Sequence, residues 1–244
     1  MLHHVGSARP LQTNAARLPA VKRLIRLLAL LILFVLAAPV ALVALYAVVP
    51  PPLTPLMALR WFDGAAIRKT WTDLERVAPA VPRAVIASED NLFCAHSGFD
   101  WNAIGDAADD YASGKRVRGA STISMQVAKN LFLWPGRDFV RKGVEAYITV
   151  FVELLWSKRR IMEVYLNIAE WGDGLYGIGA ASHARFGKTA AALTPREAAL
   201  LAAVLPNPRE WSPDRPTPYI AGRADVILRR VGQLGPLLAC VGGR

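Results

Sequence analysis

From Leu27 to Val49 the chain runs 23 residues without a charge. At ~1.5 Å per residue a helix of that length covers ~34 Å, enough for the hydrocarbon core of a bilayer. Pro39 falls near its middle and would kink it, a defect that membrane helices tolerate. The next residues, VVPPPLTP, read as a proline-rich, semi-rigid stalk. A linking helix or loop is expected from Met57 to about Val77. From Val81 onward apolar residues recur at helical spacing, with no series of alternating strands between turns, so the domain is expected to be all-α. Ser121 or Thr122 can cap a helix that runs through Gln126 and Lys129 towards Leu133, where Pro135 and Gly136 break it. A long helix starts near Asp138, with Val140, Val144, Ile148, Phe151 and Leu155 as its apolar stripe and Arg141 and Glu145 sharing a face. WSKRR suits the carboxyl end of that helix, where cations favour the dipole. A further helix covers roughly Arg160 to Ala169. Thr194, Pro195 and Glu197 then form a capping-box start to a core helix that ends at Pro206.

At 244 residues the chain holds one domain and an appendage. The expected divisions are a basic tail (1–26), a membrane helix (27–49), a stalk and linker (50–77), a helical domain (78–213) and a carboxyl-terminal tail (214–244) with little to offer after Trp211. Arg9, Arg17, Lys22, Arg23 and Arg26 precede the apolar run with no acidic residue. That bias keeps the amino end cytoplasmic and puts everything after Pro50 outside. A cleaved signal peptide would share the basic end and the alanines near Ala38 and Ala41, but the apolar run is too long for one. The net charge is +10, yet residues 27–244 hold 24 basic and 19 acidic residues, a net +5. Nucleic acid is therefore a poor partner, and anionic headgroups or phosphorylated lipids are better ones. Cys94 and Cys240 make no disulfide framework and no metal spacing. Ordinary burial of Cys94 is expected rather than pairing.

The chemistry concentrates in EDNLFCAHSGFD, from Glu89 to Asp100, followed within two dozen residues by RGASTISMQVAKN. Carboxylates, cations and hydroxyls packed so densely suit sugar or phosphate chemistry, since a core would exclude them. GDGLYG, from Gly172 to Gly177, fits the letter of a dinucleotide fingerprint but follows a helical stretch rather than a strand, and is expected to be a flexible loop shaping a cleft. Serine acyl transfer has no support without Ser-x-x-Lys or Lys-Thr-Gly. His96 and His183 lack clustered partners and are expected to be structural.

Four segments in order, EDNLFCAHSGFD, GASTISMQVAKN, RKGVEAYITVFVELLWSKRRIMEVYLNIAEWG and LTPREAALLAAVLPNPREWSP, cover about residues 80–213. In these the chain resembles the monofunctional biosynthetic peptidoglycan glycosyltransferases, the family shared with the amino-terminal half of bifunctional penicillin-binding proteins. The resemblance implies a lysozyme-like, all-α, two-lobed domain, with a cleft between a head and a smaller apolar jaw against the membrane. It implies a growing glycan on undecaprenyl diphosphate as donor and lipid II as acceptor. The acceptor 4-hydroxyl attacks C1, displaces the lipid diphosphate and inverts the linkage to β-1,4.

By the same resemblance Glu89 is the base that takes the proton of this weak nucleophile. Asp90 either orients it or ends a helix. Lys129 and Arg137 meet the charge that gathers on the leaving diphosphate. Ser121, Thr122 and Gln126 line that pocket at a positive helix end. Glu145 is a second essential carboxylate that holds a divalent cation, orders the cations or positions the acceptor, with Arg141 and Lys142 in support. A loosely bound Mg²⁺ or Mn²⁺ ion, membrane lipids and other cell-wall synthesis proteins complete the expected partners, at the inner membrane. Two positions depart from the family pattern: Met125 stands where a first glutamine is usual, and Arg185 replaces a tyrosine before FGK. The competing readings are a lysozyme-like hydrolase or lytic transglycosylase, which would lack diphosphate-binding cations, and an inactive membrane scaffold of wall synthesis.

Overall fold

A continuous helix, α1 (Arg17–Tyr46), carries the apolar run. The structure is a computed structural model that describes residues 17–115, 119–136 and 138–241. The chain divides into two compact units, Met1–Ala41 and Leu42–Arg244. In the first, Leu27, Leu33 and Phe34 stand mostly exposed along the helix. Val21–Tyr46 is long and apolar enough to cross a membrane.

The second unit begins with the last turn of α1, whose terminal carbonyls need donors. Trp156 supplies its indole Nε1–H to the Val43 carbonyl at 2.7 Å. Arg160 donates Nε and Nη2 to the Tyr46 carbonyl at 3.0 and 2.9 Å, and Nη2 to Val49. Lys69 donates to the carbonyls of Pro51 and Pro52. The proline segment is thus strapped along the domain and is not a free spacer. Thr54 then caps α2 (Pro55–Phe62), accepting from the Met57 amide at 3.2 Å.

The expectation of an all-helical domain is modified at one place. Arg68–Lys69 (β1) pairs in parallel with Leu175–Tyr176 (β3), which pairs antiparallel with Glu170–Gly172 (β2), in the order β1-β3-β2. GDGLYG is therefore a hairpin with buried Trp171 and Tyr176, not a flexible loop. Its glycines serve close approach: Gly174 sits at φ +66°, and a Cβ there would lie 2.3 Å from the Ala66 carbonyl oxygen.

The remaining helices are α3 (Ala80–Glu89), α4 (Trp101–Ala112), α5 (Ile123–Phe132), α6 (Phe139–Leu155), α7 (Lys158–Ile168), α8 (Ile178–Phe186), α9 (Pro195–Val204) and α10 (Pro218–Leu234). The capping box at Thr194 and Glu197 forms as expected. From Ala198 to Val204 every side chain of α9 is buried, because the helix lies against both α3 and α10. A second group packs α5 against α6 and α7.

Three local expectations are corrected. The buried face of α6 is Arg141, Glu145, Ile148, Thr149 and Val152, while Val140 is 74% exposed and Leu155 47%. The middle of the expected stripe does face the core, with Ile148 buried and Val144 and Phe151 packed against it; its two ends do not, and the charged pair Arg141 and Glu145 shares the buried face. In WSKRR, Ser157 caps α7 by accepting from the Arg160 amide, so the cations begin a helix and do not end one. They are tolerated at that positive end because Lys158 pairs with Glu153, Arg159 with Glu75 and Arg160 with Glu163. Finally, residues read as a tail form α10 and a 3₁₀ segment, Gly235–Val241, and Cys240 is disulfide-bonded to Cys94. A separation of 146 residues leaves no local mark of such a pairing; only the return of α10 over α3 brings the sulfurs together.

Closing so long a loop constrains the unfolded chain. Replacing Cys94 and Cys240 by serine should lower stability by about 2–4 kcal/mol. In denaturant unfolding, a reducing agent should weaken the wild type to the level of the variant and leave the variant unchanged.

Candidate active site

The last residue of α3 is Glu89, and Asp90 caps the helix. Asp90 is 7% exposed and both its oxygens are engaged. His96 Nε2 lies 2.9 Å from Oδ1, and the Ile123 amide donates to Oδ2 at 2.9 Å. The Gly98 amide donates to His96 Nδ1 at 3.1 Å, so the imidazole proton sits on Nε2 and points at Asp90. Asp90 thus ends the helix and also joins the end of α3, the following loop and the first turn of α5. His96 is structural, as expected, and is the residue that fixes Asp90.

Thr122 is the cap of α5. Its hydroxyl donates to the Gly98 carbonyl at 2.7 Å and accepts from the Met125 amide at 3.2 Å, with 2% of the residue exposed. It shapes the pocket from behind and does not line it. Gln126, one turn along, donates Nε2 to Glu89 Oε2 at 3.2 Å and accepts from the Tyr165 hydroxyl at 3.2 Å. Burial holds the Tyr165 hydroxyl well above the usual phenol range, reinforced by the charges of Glu89 and Asp90. Tyr165 is thus a fixed donor, and it was missed in sequence because it looks like one more apolar position of α7.

Across the cleft Asp138 caps α6. Glu145 is 2% exposed and receives Arg141 Nη1 at 2.7 Å and the Lys142 ammonium. Lys142 also donates to Ser121 Oγ at 3.0 Å, so α5 and α6 meet through Ser121, Lys142 and Glu145. Arg141 keeps a buried Nε–H without an acceptor, an arrangement costing about 1–3 kcal/mol unless a ligand supplies one. Lys129 on α5 closes no ion pair among the described residues. Burial pulls its pKa below the usual lysine range, helped by Arg141 and Lys142 and opposed by Glu145 and Glu89. Lys129 therefore lies within the fields of both carboxylates. Arg137 lies outside the described residues.

Met125, 3% exposed, lies in the wall of a groove of about 680 Å³ with Phe99, Trp101, Ile104, Ser121 and Lys142. At the other departure, Arg185 reaches Ser212 and Asp214, both at 3.4 Å, away from these groups. Both oxygens of Glu145 accept from cations, Oε2 from Arg141 and Oε1 from Lys142. No group of three or more His, Cys, Asp or Glu side chains is gathered for a metal among the described residues.

A family model described as Transglycosylase matches residues 57–232. The biosynthetic peptidoglycan transglycosylase of Rhodospirillum centenum is 55% identical over 196 residues, covering 79% of this chain and 85% of that protein. Proteins of the same description are 48% identical in Caulobacter vibrioides, covering 75% and 80% of the two chains, and 51% identical in Bdellovibrio bacteriovorus, covering 78% and 79%.

Removing the charge of Glu145 leaves Arg141 and Lys142 facing each other half-desolvated. Glu145→Gln should cost about 3 kcal/mol or more in denaturant unfolding. For Lys129 the sign follows from its lowered pKa: its charge is lost earlier, as pH rises, than that of an ordinary lysine. On the expectation that Lys129 meets a leaving diphosphate, affinity for undecaprenyl diphosphate should fall on the alkaline side, and Lys129→Arg, which stays charged, should hold its affinity through that range.

Proposed function

Since the chain belongs to the transglycosylase family and is a peptidoglycan glycosyltransferase, we propose that it joins lipid II to a growing glycan carried on undecaprenyl diphosphate. Glu89 takes the proton of the acceptor 4-hydroxyl as that oxygen bonds to C1 of the donor sugar. The C1–oxygen bond to the diphosphate breaks with inversion, and undecaprenyl diphosphate leaves with the electron pair. Gln126, held by Tyr165, restrains the carboxylate of Glu89 so that it faces the acceptor.

The observation that carries this reading is that Lys129 feels the charges of Glu89, Arg141, Lys142 and Glu145 together, while Gln126, three residues before it on α5, bonds to Glu89. Bond formation at C1 and departure of a diphosphate need a base and cations on two sides of one small space. A glycan hydrolase needs a general acid and has no leaving phosphate to neutralise. Glu145 keeps Arg141 and Lys142 from repelling each other, so that they meet the leaving charge in a fixed geometry. A Mg²⁺ or Mn²⁺ ion would accompany the diphosphate on its own oxygens, and no step is assigned to it.

We place the second unit on the outer side of the inner membrane, with α1 as its anchor. In support, the outward side of α6 and its surroundings is apolar: Phe139 is 97% exposed, Val140 74% and Trp134 48%. A surface of that kind suits contact with lipid, which is where the substrate is delivered.

Given lipid II and Mg²⁺, the purified full chain should release undecaprenyl diphosphate and make β-1,4-linked strands. Glu89→Gln should lower the rate by at least about a hundredfold while undecaprenyl diphosphate still binds. Undiminished polymer from that variant would remove Glu89 as the base, and cleavage of finished glycan by the wild type would favour a hydrolase.

A further inference from the structure

Residues 87, 88 and 94 surround Glu89, and each is held from the carboxyl-terminal segment. Arg223, on α10, donates Nη2 to Ser88 Oγ at 3.2 Å and Nε to the Ala203 carbonyl at 3.2 Å. Arg230, two turns further, donates Nη1 to the Ala87 carbonyl at 3.4 Å. Beyond the helix, Cys240 is bonded to Cys94. We propose that Arg223 is a positioning residue for the reaction, acting on Glu89 through Ser88, within a bracket that α10 and the following 3₁₀ segment place round the end of α3. The proposal rests on the reading of Glu89 as the base.

One proton links Arg223 to Glu89. A guanidinium only donates, so Ser88 Oγ must accept from Arg223. The hydroxyl proton is then left for Glu89 Oε1 at 3.1 Å or the Ala202 carbonyl at 3.2 Å. A carboxylate is the stronger acceptor, and donation by a cation into Oγ polarises the hydroxyl towards it. One oxygen of Glu89 is thereby fixed by Ser88 and the other by Gln126, which sets the plane of the carboxylate. Arg223 also forms part of the wall of a cavity of about 410 Å³ with Ser88, Tyr219 and Arg230. A direct contact with substrate there is the reading to be separated from positioning.

Steady-state polymerisation should be measured for the full chain and for Arg223→Ala, Ser88→Ala, the double variant, Arg223→Lys and Glu89→Gln. Positioning predicts that Arg223→Ala lowers kcat about tenfold with KM changed less than about twofold, as expected when a restraint on a reacting group is lost. Ser88→Ala should show a loss of the same size, and the double variant should be no worse than either single one, because both remove one pathway. Arg223→Lys should recover most of the rate, since an ammonium can still donate to Ser88 Oγ. A raised KM with unchanged kcat, or losses that add in the double variant, would overturn the proposal in favour of substrate contact. If Arg223→Ala does not fold, Ser88→Ala and Arg223→Lys decide alone: a full rate in Ser88→Ala contradicts it. Polymerisation by Glu89→Gln would instead bring down the reading of the base, and is told apart by that single variant.

Discussion

One buried carboxylate, that of Asp90, sets the relation between the parts of this site. It ends α3, receives His96 from the loop and takes the first amide of α5. A buried charge with two or three donors is stable only while all of them stay in place. Removing either donor would leave a buried oxygen of the carboxylate short of a partner, so the loop and the start of α5 are both tied to the end of α3. Glu89, a single residue earlier, accepts from Gln126 on that same α5 at 3.2 Å. The disulfide and the α10 contacts add covalent and hydrogen-bonded restraint to the same turn.

The other half of the site uses an unusual distribution of polarity. Helix α6 buries Arg141, Glu145 and Thr149 and exposes Phe139, Val140 and Leu154. In water alone this would be a costly arrangement. On the proposed reading, a substrate with a diphosphate on one end and a long hydrocarbon on the other would meet the cations inward and the apolar side chains outward. The anchor belongs to the same logic. Trp156, Arg160 and Lys69 donate to carbonyls between Val43 and Pro52, so these residues are part of the second unit's own fold.

Much of this was legible in the sequence, for physical reasons. Caps are local, so Thr122, Asp138 and Thr194 could be placed from side chains a few residues from the helices they start. The carboxylates and cations were conspicuous because a core excludes such groups unless they are used. What failed was non-local. The stripe on α6 holds at Val144, Ile148 and Phe151 and fails at Val140 and Leu155, because spacing reveals an apolar face but not what medium its ends meet. The GDGLYG hairpin needed the partner strand at Arg68–Lys69, a hundred or so positions away, and the Cys94–Cys240 bond needed α10. Tyr165 and Arg223 act through Gln126 and Ser88, and a residue that works at one remove leaves no motif.

The central claim is that Asp90 holds the base in register with the cations. The rate of glycan polymerisation by Asp90→Asn tests it most directly, because the amide keeps the size of the side chain but must turn a donor towards His96 or Ile123. The account predicts a rate at least about tenfold lower, as for loss of a buried hydrogen-bonded charge, with undecaprenyl diphosphate still bound by the cations of α5 and α6. A wild-type rate in that variant would contradict it.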